Sequence, residues 1–87
     1  MHVIIVYDVA EERVNKVNKF LRSYLHWIQN SVFRGDITQS QLQAIKDGIK
    51  GIIEEDYDSV TIYVLPSEKY LKVINIGIEK GTTDMIF

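Results

Sequence analysis

Residues 2–9 read HVIIVYDV, and both rows of the pleat are mainly apolar: His2, Ile4, Val6 and Asp8 on one, Val3, Ile5, Tyr7 and Val9 on the other. A strand of this kind has to be covered on both sides. SVTIYVL at 59–65 has the same character, and VINIGI at 73–78 reads as a short final core strand. Two helical stripes lie between these strands. Val14, Val17, Leu21 and Tyr24 fall at spacings of three, four and three, with Phe20 beside them, which marks one face of an amphipathic helix. Leu42, Ile45, Ile49, Ile52 and Ile53 trace the second stripe, opened by Thr38 with Gln41 three residues on, a capping-box pattern. Gly48 and Gly51 weaken that helix by propensity, so close packing on a sheet is their expected purpose. HWIQNSVFRGD at 26–36 has strand character, as one bent strand or two short ones, with Gly35 at a bulge or turn.

The order β-α-β-(β)-α-β-β implies a single α+β domain over 1–87, a ferredoxin-like sandwich with both helices on one face of an antiparallel sheet. Two helices leave the other face bare. A second copy packing sheet to sheet is the economical cover, and a chain this short has reason to dimerise. The apolar tail at 83–87, ending Met85, Ile86 and Phe87, is expected to add an edge strand at that interface or at a partner's.

Hydrophobic residues make up 46% of the chain, as in an ordinary globular protein, and no run approaches a membrane span. The opening MHVIIVY lacks the basic flank of a signal peptide. Without cysteine there is no disulfide framework, thiolate metal site or cysteine nucleophile. A cytoplasmic location is the expectation. The net charge of −2 means that any nucleic-acid binding has to come from a local patch.

Asp8 sits at the exit of a core strand, where a bare carboxylate is costly to bury. One reading is a helix cap, since Glu11 follows three residues later. The other is a metal ligand. Mg2+ usually takes one or two carboxylates plus waters and phosphate oxygens, and a two-fold axis near Asp8 would supply the second carboxylate from another copy. The ion and the dimer then support each other.

VYDV at the first strand exit, FLRSYL at the end of the basic helix, the block IQNSVFRGDIT and the later strand DSVTIYVL occur in this order over nearly the full length. In these pieces the chain resembles the small CRISPR-associated protein family that, with the CRISPR integrase subunit, forms the universal adaptation pair. The resemblance implies a ferredoxin-like homodimer. It also implies a metal-dependent endonuclease acting on RNA or DNA, and a central scaffold of spacer integration in antiviral defence. It matches the family's catalytic aspartate to Asp8, with two copies facing each other across the dimer axis and one Mg2+ shared between them. Tyr7 and Phe33 match positions that the family associates with the site.

Arg13, Lys16, Lys19 and Arg22 recur every three residues and spiral around the polar side of the first helix. Together with Arg34 they are candidates to track a phosphate backbone; a solvated helix face is the plainer alternative. Glu54, Glu55, Asp56 and Asp58 resemble a metal cluster only in composition and read as a solvated turn. His2 and His26 have no ligand spacing. Trp27 offers a ring for a base or an anchor for a core or interface. Three functions stay open: a Mg2+-dependent phosphodiesterase, a non-catalytic dimer that binds duplex DNA and bridges integrase subunits, and a toxin-type ribonuclease of the same fold.

Overall fold

A computed structural model describes residues 1–72, 74 and 76. β1 (His2–Asp8) leads into α1 (Glu11–Arg22), then β2 (His26–Gln29), β3 (Val32–Asp36), α2 (Gln39–Ile52) and β4 (Ser59–Leu65), followed by a 3-10 turn at Glu68–Tyr70. The strands form an antiparallel sheet in the order β2-β3-β1-β4. This is the ferredoxin-like topology. The strand expected over 73–78 and the edge strand expected over 83–87 lie outside the described residues.

The region 26–36 resolves into two strands joined at Asn30 and Ser31. Asn30 takes φ 43, a left-handed conformation that asparagine tolerates better than most residues. Gly35 is neither bulge nor turn. It pairs with Val3 inside β3, and a Cβ there would lie 3.0 Å from Leu25 Cδ2. The irregularity falls instead on β2, between Trp27 and Gln29.

Strand alternation sorts the core. Val3, Ile5 and Tyr7 join Val17 and Leu21 of α1, Ile45 and Ile49 of α2, and Phe33 of β3, so both helices cover one face. The opposite face carries His2, Ile4, Val6 and Asp8. It is less bare than the sequence suggests, because His2 and Ile4 are buried within the single chain. The segment after β4 returns over this end of the sheet, bringing the Glu68 carboxylate within 4.8 Å of donor atoms of His2 and Asp36. Exposed apolar surface gathers instead at β4 and beyond, on Tyr63, Val64, Tyr70, Ile74 and Ile76. Among the described residues the outer edge of β4 pairs with nothing.

The capping box at Thr38 forms as the sequence predicts: Gln41 N donates to Thr38 Oγ1 and the Gln41 side chain accepts from Thr38 N. The two glycines of α2 differ from expectation. Gly48 packs against α1 rather than the sheet, and a Cβ there would stand 2.1 Å from Phe20 Cζ, whereas Gly51 faces open space. Alanine gains about 1 kcal/mol over glycine in a helix, while overpacking costs about 1–3 kcal/mol. Gly51→Ala is therefore expected to stabilise by about 0.5–1 kcal/mol, and Gly48→Ala to destabilise by about 1 kcal/mol as the Phe20 ring is displaced. Urea denaturation at one fixed protein concentration checks both, and equal shifts would refute the close-approach argument.

Candidate active site

Asp8 closes β1 opposite Ser59 of β4. Its side chain is exposed, on the sheet face away from the helices. Around it is a shallow groove of about 240 Å3, lined by Val6, Tyr7, Asp8, Ser59, Thr61 and Tyr63. Among the described residues no donor or cation engages its carboxylate. Asp8 does not cap α1. The N-cap position is Ala10, and no side chain of that residue satisfies the helix start.

Asp58 does so instead. One oxygen accepts from Ala10 N at 2.8 Å and Arg13 Nη2 at 3.0 Å, the other from Arg13 Nε at 2.5 Å and Glu54 N at 2.9 Å. The Asp58 side chain is fully buried and that of Arg13 is mostly so. The bidentate Arg13 hydrogen bond holds the Asp58 carboxyl well below the usual carboxylate range; burial opposes this, and the Glu54 and Ala10 amides add to it. Arg13 is raised by the same pairing. One carboxylate thus ties the start of α1 to the end of α2 and to Ser59, the residue beside it and the partner of Asp8. In the sequence Asp58 is one acid in EEDYD, read as solvent-facing. Glu54, Glu55 and Asp56 are exposed, and Asp58 is the exception.

Other candidates separate. Tyr7 and Phe33 are buried, with ring centroids 6.2 Å apart, on the helix side of the sheet. They support the end of β1 from behind, and their rings lie on the reverse face from Asp8. Arg13 is committed to Asp58 and leaves the phosphate-binding set. Lys16 and Lys19 are exposed on α1. Arg34, half-buried, belongs to the opposite sheet face, where its Nε donates to His2 Nε2 at 3.2 Å. Arg22 is exposed at the end of α1, and the five cations do not form one patch.

His2, Asp36 and Glu68 place three potential donor atoms within 4.8 Å of one another. Because Arg34 donates to His2 Nε2, the ring proton sits on Nδ1, facing Asp36 Oδ1 at 3.3 Å. Neither ring nitrogen is then free for an ion. The group also lies at the far end of β1, roughly 20 Å from Asp8 at about 3.3 Å per residue.

Fold and site together define a small ferredoxin-like domain with an acidic groove at the exit of its first strand. Residues 1–73 match the family model described as CRISPR associated protein Cas2. Over 86 residues the chain is 52% identical to "CRISPR-associated endoribonuclease Cas2" of Methanocaldococcus jannaschii, covering 99% of this chain and 75% of that protein. It is 50% identical to the protein of the same description from Pyrococcus furiosus, covering 99% of each. Among solved structures, a crystal structure described as cas2 superposes with a TM-score of 0.83 at 48% identity, covering 92% of this chain and 90% of that one. Streptococcus pyogenes Cas2 superposes with a TM-score of 0.77 at 32% identity, covering 88% of this chain and 100% of that one. The chain belongs to the CRISPR-associated Cas2 family.

Proposed function

We propose that the protein is a CRISPR-associated nuclease of the adaptation system, hydrolysing phosphodiester bonds at Asp8. The observation that carries this reading is the exposed Asp8 carboxylate in its groove, unengaged among the described residues, in a chain whose relatives are described as endoribonucleases.

The working unit is a homodimer in which the sheet faces carrying Asp8 approach each other, as Tyr63, exposed on that face opposite Ile4, favours. Asp8 from each copy would hold one Mg2+, a hard cation suited to carboxylate and phosphate oxygens. When bound, Mg2+ polarises the scissile phosphate and makes a water more acidic. Asp8 would hold that ion, Ser59 and Thr61 line the groove beside it, and Tyr7 with Phe33 fixes the strand from behind. No histidine among the described residues lines the groove as a base. The protein would act in the cytoplasm beside a CRISPR integrase subunit. Incubating wild type and Asp8→Asn with labelled RNA and duplex DNA, in Mg2+ and in chelator, tests the reading; cleavage by wild type that chelator leaves unchanged would refute the metal role.

A non-catalytic scaffold is the second reading, favoured by the exposed Lys16 and Lys19 on the helix side of the sheet, away from Asp8. Reversing both charges is expected to weaken duplex binding and to flatten its salt dependence by about one unit of slope per lost phosphate contact. Fluorescence anisotropy over a salt series measures this. An unchanged slope would leave the lysines a solvated face.

A further inference from the structure

With Arg13 committed to Asp58 and Arg34 on the opposite sheet face, α1 still presents three exposed cations, Lys16, Lys19 and Arg22, and the sequence has no acid between Glu12 and Asp36, although the whole chain has a net charge of −2. Within that stretch stands Trp27, on the edge strand β2 and 47% exposed. It pairs with Phe33 in register and so belongs to the helix side of the sheet. The ring is exposed and also held in place. Its Nε1–H donates to the Asn30 carbonyl at 3.0 Å across the hairpin. The Arg22 guanidinium carbon lies 5.3 Å from the ring centroid, and Arg22 Nε donates to Asn18 Oδ1 at 2.6 Å. Lys19 is exposed one turn earlier on the same helix.

We infer that Trp27, with Arg22 and Lys19, is a binding site for single-stranded nucleic acid, in which one unpaired base stacks on the indole and the flanking phosphates meet the two cations. The inference rests on the nucleic-acid reading above and adds a place, away from Asp8, where an unpaired base is held. A polyanion is the occupant that the charge distribution selects. The flat, immobilised ring selects one that carries planar groups, and ordering it beforehand lowers the entropy lost on binding. The interior of a duplex does not qualify, because its bases already stack on both faces, whereas an unpaired base has a face to offer. The indole N–H is taken up by Asn30 and Trp27 reads no base edge, so the site should be tolerant of sequence.

Trp27 is the sole tryptophan of the chain, so its emission reports on this site alone. The intact protein, in chelator to prevent cleavage, is titrated with oligo(dT), oligo(U), a blunt duplex and inorganic polyphosphate. Oligo(dT) and oligo(U) are expected to quench the emission and polyphosphate to leave it nearly unchanged. Trp27→Leu is expected to weaken single-strand binding about 10-fold or more with duplex binding unaltered, and Trp27→Phe to retain most of it. If polyphosphate quenches as strongly as oligonucleotide, the ring senses only charge at Arg22 and stacking is refuted. If single strands bind with unchanged emission and Trp27→Leu binds as wild type, the inference fails while the nucleic-acid reading stands. If no nucleic acid binds at all, the functional reading itself fails. Should Trp27→Leu not fold, wild-type emission and Trp27→Phe decide.

Discussion

Asp8→Asn is expected to reduce cleavage of RNA and DNA to background, a fall of roughly 100-fold or more, the scale on which active sites lose rate when a group stabilising developing charge is removed. Asparagine keeps the size of aspartate and loses only the charge that holds Mg2+. The structure makes this substitution unusually clean. Asp8 is exposed, engages no partner among the described residues and caps no helix; the N–H of the N-cap residue Ala10 goes to Asp58. Thermal stability should therefore stay close to that of wild type. In the absence of metal the dimer should be no weaker, because two like charges brought together across an axis repel and the variant lacks them. Cleavage at the wild-type rate by cleanly purified Asp8→Asn would mean that the chemistry lies elsewhere.

The parts legible in the sequence were those with local causes. The stripes at Val17 and Leu21 and at Ile45 and Ile49 are the buried faces of α1 and α2, and Thr38 with Gln41 forms the box its spacing announces. The topology followed because each element was short, periodic and in order. What was not legible involved partners far apart in sequence. Asp58 and Arg13 are separated by 45 residues, and nothing local distinguishes Asp58 from its acidic neighbours. Gly48 likewise meets Phe20 only once two helices pack. Tyr7 is a different case: alternation along β1 already puts it on the opposite face from Asp8, so its reverse-face location was available from the pattern. The resemblance had grouped the two by adjacency.

The largest stability effect is expected at Asp58. Asp58→Asn offers one acceptor where four donors converge, and its amide N–H groups would face the Glu54 or Ala10 amide or the Arg13 guanidinium. Arg13, mostly buried, would keep only the exposed Glu12 carboxylate, 3.6 Å away, as a counter-charge; breaking a buried pair from one side is far costlier than never having had it. The melting temperature at neutral pH should fall by roughly 10 °C or more. The pH dependence has a definite sign. The folded carboxyl is depressed below its ordinary value of 3.8, so the unfolded chain binds the proton first. The stability it contributes is complete above that value and is lost as pH falls through the depressed one. Wild type should thus destabilise steeply below about pH 4, and Asp58→Asn should lack this part of the acid slope. Replacing Arg13 and Asp58 together should cost less than the sum of the single changes, because each single change leaves the other group unpaired. Melting curves at pH 7 and pH 3, at one protein concentration, supply the comparison. An Asp58→Asn protein melting within about 2 °C of wild type at pH 7 would show that the three junctions it joins are held by packing alone.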